Sequence, residues 1–95
     1  MRETQKYVVI SFHTTTAAFA TEKYCKARGI PGRMISVPRE MSAGCGIAWR
    51  MLPEDFRSHA PSAPEAEGFS ALALCWREAL EALGVEVEEI AEITR

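Results

Sequence analysis

The chain has 95 residues, with 47% apolar and 25% charged side chains and a formal net charge of −2. That size and balance fit one globular domain spanning 1–95 and leave too little apolar surface for two independent cores. The lysines and arginines are scattered rather than clustered, which argues against nucleic acid as a partner, and no apolar run approaches the roughly 20 residues needed to span a bilayer.

The opening stretch, MRETQKYVVISF, has a short apolar run that stops before His13, unlike a secretory signal. Three cysteines without a C-x-x-C pair argue against a disulfide framework or a zinc knuckle. The expectation is a cytoplasmic protein with reduced thiols, no metal and no other cofactor.

In chain order, KYVVISF (Lys6 to Phe12) is rich in β-branched and aromatic residues and predicts a central strand with apolar side chains on both faces. A helix follows, with its N-cap among Thr14 to Thr16, a stripe of Ala17, Ala20, Tyr24 and Ala27, and a stop at Gly29. Phe19 falls off that stripe. Arg33 to Val37 predicts a second strand, stopped by Pro38, and Ile47 to Leu52 a third, with Ile47, Trp49 and Met51 on one face. Pro53 to Gly68 carries three of the five prolines and reads as a loop. Phe69 to Leu83 has Phe69, Leu72, Trp76, Ala79, Leu80 and Leu83 at helical spacing, and VEVEEIAEI predicts a last strand whose acidic residues suit a sheet edge.

The order β-α-β-β-α-β predicts an α+β fold. Its expected form is a ferredoxin-like sandwich, with a four-stranded antiparallel sheet and two helices on one face. The first two strands then run the same way. His13, Thr14 and Thr15 should lie near the Pro38 to Gly46 turn, and the Pro-rich loop at the opposite end of the sheet. The face without helices leaves Tyr7 and Val9 to be covered by a second copy, so a homodimer is expected.

The chemistry concentrates in SVPREMSAGCGIAW, where Cys45 stands between two glycines. A thiol titrates near about 8.5, and helix N-termini or nearby cations pull it lower by stabilising the thiolate. Arg39 lies in the turn, and Arg33 and Arg50 flank it in sequence. Gly44 and Gly46 permit positive φ and can leave N–H groups uncovered as a nest for a sulfur anion, with Ser42 as a further donor. The alternative is a tight hairpin connection in which the glycines meet a steric need and Cys45 fills space.

The run GIPGRMISVPREMSAGCGIAWR, with VVISFHTTTAA upstream, resembles a small prokaryotic family of selenium/sulfur carrier-like proteins over most of residues 7 to 52. The resemblance singles out Pro38, Arg39, Ser42, Gly44, Cys45 and Gly46. It implies a carrier that holds sulfur or selenium on Cys45, with donor and acceptor proteins as partners. The chain departs from the family in its long Pro- and Ala-rich loop, and it lacks the Cys-Pro pair of better-known sulfur carriers, since Gly46 follows Cys45.

Cys25 and Cys75 fall on helix flanks and read as packing residues, so neither is an obvious resolving partner for Cys45. His13 is either a general base for Cys45 or a polar strand end, and His59 reads as a surface residue. Two function classes therefore stand. One is a carrier rather than a turnover enzyme, with Cys45 supported by Arg39, Ser42, Gly44, Gly46, Pro38, His13 and Thr14. The other is a non-enzymatic binding or dimerisation module with a structural turn. A cysteine hydrolase using His13 lacks a nameable oxyanion hole beyond the amides of the turn.

Overall fold

The computed structural model describes residues 4–41, 44, 46–60 and 68–94. The elements run β1 (Lys6–Phe12), α1 (Thr15–Ala27), β2 (Arg33–Ser36), β3 (Ile47–Met51), α2 (Pro53–Ser58), α3 (Phe69–Ala82) and β4 (Val87–Thr94). The four strands form one open antiparallel sheet in the order β2-β3-β1-β4. Because β3 pairs antiparallel with both β1 and β2, those two strands run the same way.

Each element has a local cause. Seven residues with a β-branched run make β1, which is buried from Val8 onward and pairs on both sides. The Thr14 hydroxyl accepts the Ala17 N–H at 3.1 Å and starts α1; Gly29, at φ 68, ends it in a conformation that favours glycine. The buried face of α1 is Ala17, Ala18, Thr21 and Cys25 rather than the expected stripe, so Ala27 is exposed and Phe19 lies in solvent. The small residues on that face let the helix lie close to the sheet.

A third helix replaces the first part of the expected Pro-rich loop. Pro53 occupies the start of α2, where its missing N–H costs nothing, and Glu54 and Asp55 suit the helix dipole in the first turn. Tertiary packing completes it: the Phe56 ring stacks on Trp76 at 5.5 Å and on Phe69 at 5.6 Å, and the Trp76 indole N–H donates to the Phe56 carbonyl at 2.8 Å. The rest of that stretch, residues 61–67, lies outside the described residues. α2 follows the Met51 end of β3, the end opposite the Pro38–Gly46 connection, as expected.

All three helices feed one buried cluster with Val8, Ile10, Phe12, Trp49 and Met51, on one face of the sheet. Gly32 belongs to this packing: a Cβ there would collide with the Trp49 ring and lie 2.8 Å from the Arg50 carbonyl oxygen. The opposite face is not bare. Val9, Ala48 and Ile93 are buried there beneath Met41, which the β2–β3 connection folds over the sheet, and the Arg50 guanidinium lies 4.3 Å above the Tyr7 ring. Tyr7, Ile35, Val37 and Ala91 remain half-buried around that smaller cluster. No helix among the described residues is long and apolar enough to cross a membrane.

Candidate functional site

The β2–β3 connection is built in two steps. Met41 N–H donates to the Pro38 carbonyl at 3.0 Å, closing a turn that leaves Arg39 and Glu40 exposed. Val37 N–H donates to the Gly46 carbonyl at 3.0 Å and closes the base. Ser42 and Cys45 lie outside the described residues, whereas Gly44 and Gly46, the chain neighbours of Cys45, are described.

The two glycines serve different needs. Gly46 has φ 80 and open space around it, so its requirement is conformational. Gly44 is needed for close approach, since a Cβ would lie 2.9 Å from the His13 carbonyl oxygen. This contact joins the connection to the start of α1, as the topology leads one to expect. The Gly44 N–H is not uncovered, however: it donates to Glu88 Oε1 at 2.8 Å. The same oxygen lies 3.4 Å from His13 Nδ1.

Glu88 reaches both groups because of a fault in the sheet. Ser11 pairs with Glu89 and Phe12 with Val87, which leaves Glu88 as the extra residue of a β-bulge. A bulge bends a strand and re-aims a side chain while freeing backbone groups. Here Arg77 of α3 takes up the carbonyls: its Nη1 donates to Val87 O at 2.9 Å and its Nη2 to Glu88 O at 3.3 Å. A line of contacts thus runs from α3 through the bulge to the glycine before Cys45.

Other expected site residues fall in different places. The Thr14 hydroxyl accepts the Ala17 N–H as the helix cap, which fixes its orientation at the start of α1. Pro38 is half-buried, and His13 and Arg39 are exposed. Arg33 and Arg50 do not flank the base of the β2–β3 connection in space. They are register partners at the far end of the β2–β3 pair, three steps from Ser36 and Ile47, or about 10 Å along the strands. At that distance and with solvent between, their field at the turn is largely screened. The sequence reading also missed Glu88, Arg77 and Met41. Met41 alone carried a signal, as a large apolar residue in an otherwise polar turn.

Of the other thiols, Cys25 is fully buried in the core, and burial pushes it up to about 12 from an ordinary 9.0, while nearby Arg28 lowers it slightly. Cys75 is half-buried on α3. No group of three or more His, Cys, Asp or Glu residues that could hold a metal ion occurs among the described residues.

The family described as "Putative Se/S carrier protein-like" matches residues 6–67, which takes in β1 through α2 and the whole glycine-cysteine turn. The chain belongs to this family. In this Se/S carrier-like protein the match ends before α3 and β4, so Arg77 and Glu88 lie outside the matched segment. No curated protein and no solved structure matches the chain.

Proposed function

We propose that the protein carries sulfur or selenium on Cys45, as a persulfide or selenenyl sulfide, between a donor and an acceptor protein of the cytoplasm. Membership of the Se/S carrier-like family supports the cargo, and one observation supports the site: the residue before Cys45 is tied by its N–H to Glu88, whose carboxylate also faces His13. A carboxylate by itself disfavours a thiolate close by. Paired with His13 Nδ1 it instead orients the ring and leaves Nε2 as the nitrogen that takes up the thiol proton.

In the sulfur case the Cys45 thiolate attacks the outer sulfur of a donor persulfide. One sulfur–sulfur bond forms on Cys45, the donor's sulfur–sulfur bond breaks, and the donor cysteine leaves as a thiolate with the electron pair. The acceptor thiolate repeats the same exchange and restores Cys45, so no external oxidant or reductant is consumed. Positive φ at Gly46 and the exposed position of both glycines suit a turn that two partner proteins approach in succession.

The finer reading of the fold as a ferredoxin-like sandwich belongs to the same proposal. The strand order and the parallel course of β1 and β2 support it, with α2 as an addition between β3 and α3.

Mass spectrometry of the intact chain after incubation with a persulfide donor tests the carrier function. One added sulfur atom, removable by dithiothreitol, mapped to Cys45 and absent from Cys45→Ala, is the expected result. Loading spread over Cys25 and Cys75, or unchanged in Cys45→Ala, overturns it. The second reading, a binding or dimerisation module, draws on the half-buried Tyr7, Ile35, Val37 and Ala91 of the helix-free face. Sedimentation at micromolar concentration tests its homodimer form, which a monomer rules out.

A further inference from the structure

The end of the β2–β3 pair opposite the connection between Ser36 and Ile47 holds a feature that the proposed sulfur transfer does not use. Arg33 and Arg50 are direct cross-strand partners, so their side chains leave the same face of the sheet side by side. Like charges in that relation repel and destabilise the pair. Neither has a carboxylate within ion-pair distance among the described residues, where the pairs formed involve His13, Lys26 and Arg77. Beside them opens a cleft of about 280 Å³ whose lining includes both arginines, Pro31, Met51, Leu52 and Asp55.

Two neighbouring arginines beside one cleft, neither ion-paired among the described residues, are matched by an anion. Each presents paired N–H donors at the spacing of carboxylate or phosphate oxygens, and apolar walls strengthen such bonds by excluding water. We propose that this cleft binds the oxyanion group, carboxylate or phosphate, of a small molecule between Arg33 and Arg50. Asp55 adds a negative charge to the lining and selects against polyanions, which agrees with the scattered distribution of basic residues over the chain. The site is independent of Cys45 chemistry.

The test is a titration of the isotope-labelled full chain with sodium phosphate and, separately, with succinate, each against sodium chloride of equal ionic strength, followed by amide and indole nuclear magnetic resonance. Saturable shifts are expected at Gly32, Arg33 and Arg50, and at the Trp49 indole N–H, whose ring packs on Gly32 and whose nitrogen has no partner among the described residues. The Trp76 indole, bonded to Phe56, should stay still. Arg33→Gln should weaken binding about tenfold or more without lowering the melting temperature of the free protein, because it also removes a like-charge contact. Asp55→Asn should tighten it. Response to phosphate alone or to succinate alone identifies the oxyanion and supports the proposal. Shifts no larger than with chloride, or wild-type affinity in Arg33→Gln, overturn it.

Discussion

The two faces of the sheet are filled by different means. Under the helices, Trp49, Trp76, Phe12 and Phe56 are fully buried, and Phe56 and Trp76 interlock through stacked rings and an indole hydrogen bond. On the other face small residues, Val9 and Ala48, are sealed by one methionine from a connection and by an arginine lying on a tyrosine. The first arrangement is dense and redundant. The second hangs on Met41, which belongs to the same connection as the glycine-cysteine stretch, so packing on that face and the course of that connection are one problem.

The sharpest way to break the contrast is Trp76→Ala, which empties the middle of the helix-covered face and removes the donor to Phe56 O. A loss of about 3–5 kcal/mol is expected, a large share of the roughly 5–15 kcal/mol that holds a domain together, measured by urea unfolding. The rate of Cys45 alkylation in the folded fraction should not change. Met41→Ala should cost about 2 kcal/mol, since one side chain of a small cluster is lost. It should also change Cys45 alkylation, which would separate the two faces; an unaltered alkylation rate would show that the turn keeps its shape without its anchor.

Smaller still is the effect of the Glu88 contact. His13→Gln and Glu88→Gln should each slow Cys45 alkylation at neutral pH, by about tenfold or less, and the double variant should be no slower than His13→Gln alone, because the pair acts as one unit. Additive losses would show that Glu88 acts only by holding Gly44. The least effect concerns Cys25. Its folded-state value of about 12 exceeds its ordinary 9.0. Its contribution to stability is therefore complete below pH 9 and declines as pH rises toward 12, when the unfolded chain loses the thiol proton first. Alkylation at pH 8 should leave Cys25 unmodified until the protein is unfolded.

What could be read in advance follows the range of the interactions. β1 was legible to the residue, the N-cap to within Thr14 to Thr16, and the helix stop at Gly29, because β-branched runs and caps are local. α2 was not, since six residues are too few to show helical periodicity and its main support, the Phe56–Trp76 stack, spans 20 positions. Glu88 read as a solvated edge charge because neither its bulge nor its bond to Gly44, 44 positions away, leaves a mark in the local pattern. Arg33 and Arg50 misled in the opposite sense: both stand near the glycine-cysteine stretch in sequence, yet the two strands carry them away from the base of the connection at Ser36 and Ile47. The cysteine turn stood out from its glycines, yet the pattern could not tell that Gly44 answers a clash and Gly46 a torsion.

The place of β4 in the sheet also sets the order of assembly. β1 begins the fold and β4 ends it, yet they are neighbours, with Ser11 bonded to Glu89 across 78 positions. Loop closure over such a span must precede its reward, which slows folding relative to a chain of local contacts. On the ribosome the β2–β3 hairpin can form early, but β1 keeps one unpaired edge until β4 emerges. Glu88 arrives with β4, so in the nascent chain the Gly44 N–H and His13 lack their shared carboxylate partner until that strand has been synthesised.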